Sequence, residues 1–217
     1  MNIPALAQKA PPEGSAIEAI FFDVGGVLLT NGWDKQQRAG VLTDFGVALA
    51  PYEEKHDAAN FYWERGLQNA RWFFDQTVFD EPRRFTFDDL WAEVTGQSRV
   101  LHPEVYGILR DLQAARRYTI ATLNNESREL NDFRIRAFEL RDYFDYFICS
   151  GYVGEMKPHP DIYRTAFEIS GTPAAQTLFI DDKAENCEAA RALGINAIHF
   201  HSPGELRSAL TGIGITL

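Results

Sequence analysis

Polar residues recur at the points where short apolar runs of this chain stop. The run "AIFF" ends at Asp23, "TIATL" at Asn124 and Asn125, and "TLFI" at Asp181 and Asp182, while "YFIC" leads through "SGYVGEM" to Lys157. Asp23, Asp181 and Asp182 offer hard oxygen ligands of the kind Mg²⁺ takes. Lys157 is a compact cation that can hold a phosphate and neutralise a neighbouring carboxylate. Asn124 and the backbone N–H groups after it can donate to phosphoryl oxygens. A carboxylate held against Mg²⁺ and a phosphate can attack phosphorus, with metal and lysine offsetting the charge that develops. The set reads as phosphoryl chemistry, provided one fold brings these strand ends together.

The elements that would do so are legible as a pattern. Apolar, β-branched or aromatic runs occur at Ile17–Phe22, Tyr118–Thr122, Tyr146–Cys149, Thr177–Ile180 and Asn196–Phe200. From the second run onward, amphipathic stretches such as "ESRELNDFRIRAFEL", "HPDIYRTAFEIS" and "KAENCEAARALG" separate them. Alternating strands and helices predict βαβ crossovers and a parallel sheet covered on both faces. In such a sheet, ligands bind beyond the carboxyl ends of the strands, which is where the polar residues stand. Residues 33–98 break the alternation: "AANFYWERGLQNARWFF" and "TFDDLWAEVTG" are helical and aromatic-rich. The expected architecture is therefore α/β, a Rossmann-like doubly wound parallel sheet formed by residues 17–32 and 99–217, with residues 33–98 inserted as an α-helical cap.

Taken singly, each motif is weak. A lone aspartate after a strand is commonly a turn residue, and "DD" before a helix is commonly a capping pair. Taken together and in order, "FFDVGGVLL", "ATLNN", "GEMKPHPDIY" and "FIDDKAENCEAARALG" resemble the haloacid dehalogenase (HAD) superfamily of hydrolases. The resemblance is to its cap-bearing branch with bacterial sugar-phosphate phosphatases of the α-glucose-1-phosphate type. It implies Asp23 as nucleophile and Lys157 as the phosphate-binding lysine. It also implies Asp182 as the main acidic ligand of Mg²⁺, with Asp181 beside it, and the Gly25 carbonyl as a further ligand. The expected activity is hydrolysis of a small phosphorylated metabolite, possible sugar phosphates included, through an aspartyl-phosphate. A metal-free 2-haloacid dehalogenase and a phosphometabolite-binding module with weakened turnover are the alternatives.

Two positions depart from the superfamily pattern. Gly25 stands where most HAD phosphatases carry a second aspartate that protonates the leaving alcohol and activates water, a function whose loss costs about 10²–10⁴-fold. Asn124 stands where Ser or Thr is usual, with a longer amide in place of a hydroxyl. In the cap, Glu64, Arg65 and Gly66 match the "ERG" of the sugar-phosphate branch. Glu64 or Arg65 is thus expected to face the substrate, with Glu64 supplying the missing acid. The aromatics Phe61, Trp63, Trp72, Phe73, Phe74 and Trp91 are assigned to the cap's own core, with the lining of a sugar pocket as the alternative.

Composition sets the outer bounds. A net charge of −10 over 217 residues, with no basic run, argues against nucleic acid. Cys149 and Cys187, lacking metal-like spacing, read as buried thiols. Residues 1–16 lack an apolar segment and read as a flexible tail of a cytoplasmic protein without a membrane partner, either monomer or homodimer.

Overall fold

The computed structural model describes residues 17–215 and 217. Residues 1–16, read above as a tail, lie outside the described residues. Five strands, β1 (Ala19–Phe22), β2 (Thr119–Asn124), β3 (Tyr146–Cys149), β4 (Thr177–Asp181) and β5 (Asn196–His199), form one parallel sheet in the order β3-β2-β1-β4-β5. The β1 strand is central. Ala19 aligns with Thr119 on one side and Thr177 on the other, so Asp23, Asn124 and Asp181 emerge along one edge. Alternate β1 side chains feed opposite faces: Ile20 and Phe22 join one hydrophobic cluster, Ala19 and Phe21 another. A strand buried on both faces needs an unbroken apolar run, and each fully buried Phe contributes about 1.5–3 kcal/mol.

Helices α5 (Pro103–Ala115), α6 (Arg128–Ala137), α7 (Ser150–Val153), α8 (Pro160–Ser170), α9 (Ala184–Ala192) and α10 (Pro203–Gly212) accompany the sheet. Each of α5, α8 and α10 has proline in its first turn, where a missing N–H costs no helical bond. Between β1 and α5 lie α1 (Lys35–Asp44), α2 (Leu49–Trp63), α3 (Ala70–Thr77) and α4 (Phe87–Gly96). These share a separate cluster that includes Trp63, Phe73, Phe74 and Leu90. Trp63 stacks on Phe73 with ring centroids 4.3 Å apart. Of the aromatics assigned to this core, Phe61 departs, being 48% exposed.

The segment "AANFYWERGLQNARWFF" is not one helix. Helix α2 ends at Trp63, and α3 starts after Asn69, whose side chain accepts from the Trp72 N–H. Gly66, at φ +65°, makes the turn, and a Cβ there would lie 2.1 Å from the Gly151 carbonyl oxygen. Only glycine fits both the left-handed backbone and that approach. The chain leaves and re-enters the sheet side by side, with Thr30 N–H bonded to Arg99 O and Leu29 bridged to Val100. Among the described residues, no helix is long and apolar enough to cross a membrane.

Candidate active site

The site begins where β1 ends. Asp23 is 7% exposed and its Oδ1 accepts from the Val24 N–H at 2.8 Å. Gly26, at φ +75°, turns the chain so closely past Asp182 that a Cβ would meet Asp182 Oδ2 at 2.2 Å. Gly26 is thus a condition for bringing Asp182 beside the end of β1.

Lys157, 5% exposed, arrives from the loop after α7 and lies between two carboxylates. Its Nζ is 2.6 Å from Asp181 Oδ2 and 3.1 Å from Asp23 Oδ1. Burial works against its charge, but Asp23 and Asp181 outweigh burial and hold its pKa above the usual lysine value. Asp181 is fully buried and fully used: Oδ1 accepts from the Lys183 N–H at 2.7 Å, and Asn186 Nδ2 reaches both oxygens at 3.0 Å. Asn186 thus orients Asp181. Asp182 differs, since its Oδ1 is buried without a hydrogen-bond partner.

Asp23, Asp181 and Asp182 each offer an oxygen, all within 4.8 Å of one another. One lysine does not balance that charge. Burial, opposed by Lys157 and reinforced by Asp181 and Asp182, pushes Asp23 above the usual carboxylate range. Burial and then Asp181 do the same for Asp182. An unpartnered carboxylate oxygen in an all-oxygen cluster of excess negative charge fits a hard divalent cation.

Asp23 and Lys157 open into a cavity of about 350 Å³, also lined by Gly25, Asn124, Asn125 and, from the end of α2, Glu64. Glu64 follows the last turn of α2, and burial, partly opposed by a hydrogen bond with Asn60, raises its pKa. Arg65 is not brought to the cavity with it: its guanidinium lies 4.3 Å from the Phe61 ring centroid, a cation–π contact. Asn125, expected among the phosphate-binding residues, has its side chain committed to the lysine loop. Its Nδ2 donates to Lys157 O and its Oδ1 accepts from Lys157 N, both at 2.8 Å. That two-bond clamp fixes the backbone that carries the lysine. The Asn124 amide N–H₂ is likewise committed, to Asn131 Oδ1 at 3.0 Å.

Several cavity residues were not found by sequence reasoning. Asn31 occupies the space a side chain at position 25 would need, its Oδ1 2.9 Å from a Cβ built on Gly25. Glu126, 5% exposed, pairs with buried Arg134 at 3.2 Å, and Arg134 also reaches Thr30 O and Ser98 Oγ on the two chain crossings. Glu126 directly follows "LNN", which is the only signal it had. Asn31 and Arg134 had none, since tertiary approach alone brings them in.

Residues 17–194 match the haloacid dehalogenase-like hydrolase family, and the chain belongs to it. It is 32% identical to a sesquiterpene phosphatase of Aspergillus oryzae over 195 residues, covering 86% of this chain and 91% of that protein. It is 25% identical to glyceraldehyde 3-phosphate phosphatase of Pyrococcus abyssi over 205 residues, covering 85% and 81%. An 84-residue stretch, 33% identical, aligns with drimenol cyclase of Aspergillus calidoustus, but the match covers 38% of this chain and only 16% of the cyclase. The fold superposes on a HAD family enzyme of Bacteroides thetaiotaomicron in its magnesium complex with a TM-score of 0.74 at 25% identity, covering 90% of this chain and 98% of that one. The protein is accordingly a hydrolase of the HAD phosphatase type, acting on phosphate esters.

Proposed function

We propose that this chain is a Mg²⁺-dependent phosphatase of a small, polar phosphorylated metabolite, working through an aspartyl-phosphate on Asp23. The observation that carries the reading is Lys157 Nζ held within 3.1 Å of Asp23 and 2.6 Å of Asp181, beside the unpartnered Asp182 Oδ1. Lys157 opposes the burial that raises the Asp23 pKa and draws in the phosphate. An Asp23 oxygen forms a bond to phosphorus as the bond to the leaving oxygen breaks. Glu64, whose pKa burial raises, gives its proton to the leaving oxygen. Its carboxylate then takes a proton from the water that attacks phosphorus, freeing Asp23 and inorganic phosphate. A divalent cation held by Asp23, Asp182 and the Gly25 carbonyl, with Asp181 behind them, supplies the positive charge that offsets charge on the transferring group.

Helices α1–α4 serve as the cap over this site. The cavity lining supports a hydroxylated leaving group: Asn60 and Glu64 from α2 and its end, with Asn31 after β1 and Lys183 before α9, lie among Trp33 and Trp63. An isoprenoid chain there would strip water from carboxylates and amides without replacing its hydrogen bonds, at several kcal/mol. That favours a sugar or triose phosphate over a terpenyl phosphate.

The test is phosphate release from glucose 1-phosphate, glyceraldehyde 3-phosphate, a terpenyl phosphate and p-nitrophenyl phosphate, with Mg²⁺ and with EDTA. Release is expected only with Mg²⁺ and should vanish in Asp23→Asn; release that survives this substitution rejects the mechanism. Glu64→Gln is expected to lower kcat about 10²-fold or more and to alter the pH profile. An unchanged rate and profile removes Glu64 from the reaction.

A further inference from the structure

The hydrogen bonds behind Asn124 run in one direction. Asp132, when ionised, only accepts, and Tyr152 donates its O–H to it. With its proton spent, the Tyr152 oxygen accepts from Asn131 Nδ2 at 3.0 Å. Asn131 must then turn its Oδ1 toward Asn124, where it accepts from Asn124 Nδ2 at 3.0 Å. The orientation of both amides is thus dictated by the network. What remains for the cavity is Asn124 Oδ1, an acceptor, buried and without a partner. Asn124 is 2% and Asn131 1% exposed, so bulk water does not satisfy them.

A hydroxyl at this position would rotate to donate to a phosphoryl oxygen. A carbonyl oxygen cannot, and it repels a fully ionised one. We propose that Asn124 Oδ1 accepts a hydrogen bond from a protonated phosphoryl oxygen, so that the site takes its phosphate ester as the monoanion. The inference deepens the phosphatase reading and rests on it. Tyr152 and Asn131 are positioning residues that act through Asn124, and Asp132 anchors the relay. The charged and titratable groups around them are Asp132 and Arg128 on α6, the latter 5.4 Å from the Tyr152 ring centroid, and Cys149 at the end of β3. Asp23, Lys157, Glu64 and Glu126 face the same cavity. Burial raises the thiol of Cys149 and the phenol of Tyr152, leaving both protonated near neutrality.

Two measurements at saturating Mg²⁺ test this. In calorimetric titrations, inorganic phosphate is expected to bind at least about tenfold more tightly than sulfate at acidic pH, since sulfate brings no proton to a buried acceptor. Phosphate affinity should weaken as the dianion forms. In kinetics, kcat/KM should fall about tenfold per pH unit above the substrate's second pKa, about 6. This limb should shift to lower pH for phenyl phosphate than for an alkyl phosphate, which no titrating enzyme group would produce. Tyr152→Phe removes the acceptor for Asn131 and lets both amides reverse, so binding of phosphate above neutrality should strengthen and the limb should flatten. Asn124→Thr, with a rotating hydroxyl, should do the same should Tyr152→Phe fail to fold. Equal binding of sulfate and phosphate, with no weakening at high pH, overturns the proposal whether or not any ester turns over. A limb at the same pH for both esters also overturns it. Failure to hydrolyse any ester, with the predicted binding intact, would instead count against the phosphatase reading.

Discussion

At Gly25 the family's usual second carboxylate is absent, and its place is filled. Asn31 Oδ1 lies 2.9 Å from where a Cβ would stand, closer than side-chain carbon packs against oxygen. Gly25→Asp is therefore expected to lower kcat/KM rather than restore a conventional acid, and Gly25→Asp with Asn31→Gly should recover part of the loss. Steady-state kinetics on both variants decide it; a gain from the single substitution would show that Asn31 yields freely. Glu126 presents a different residue-scale problem, a buried carboxylate beside Arg134 whose pKa burial lifts from 4.5 to about 7. Between those values the native state binds more protons than the unfolded chain, so this group's contribution to stability falls as pH rises through the window. Glu126→Gln, which mimics the protonated form, should therefore gain stability relative to the wild type from about pH 4.5 to about pH 7. Urea unfolding at both ends of the window measures this; a constant difference would mean that Glu126 stays ionised throughout.

Elements meet at Glu129, in the first turn of α6. Its carboxylate accepts from Trp63 Nε1 at 3.3 Å and from the Ala70 N–H at 3.2 Å, joining the end of α2 and the start of α3 to the sheet side. The Gly66–Gly151 approach lies in the same seam. Glu129→Ala should cost about 1–3 kcal/mol in urea unfolding and raise KM, because α1–α4 lose their fixed seat over the cavity. Glu129→Gln, which keeps an acceptor, should do less harm, and equal effects would reduce the contact to simple packing. None of this seam was legible in the sequence. "ERG" marked a cap segment, but which of its side chains enters the cavity depends on the turn at Gly66, and Arg65 was drawn off by Phe61. The strands were legible because burial on both faces requires continuous apolar runs. The polar residues at their ends were legible because a parallel sheet aligns all its carboxyl ends. Asn31, Glu126 and Arg134 left no periodic trace, since a turn and a buried ion pair are fixed by packing between distant segments.

For the whole molecule, the sheet order β3-β2-β1-β4-β5 concentrates unlike elements' charges at one point. Asp23, Asp181 and Asp182 converge within 4.8 Å in a chain whose net charge is already −10. Without a cation the folded state bears their repulsion, which at such separations is on the order of 1 kcal/mol or more per pair. The unfolded chain, in which Asp23 separates from the adjacent pair Asp181 and Asp182, bears less of it. Asp182→Asn should therefore stabilise the metal-free protein, raising Tm by about 2–4 °C per kcal/mol relieved. Mg²⁺ should reverse the order, since an ion that binds only the folded state adds about 2.7 kcal/mol at a hundredfold excess over its Kd, and the variant forfeits most of that gain. Thermal unfolding of both proteins, in EDTA and across a Mg²⁺ titration, separates these effects without any substrate. Equal shifts in the two proteins would place the ion away from Asp182. A variant less stable than the wild type in EDTA would mean that Asp182 holds the turn through Gly26 and Lys183 more than it strains the charge cluster.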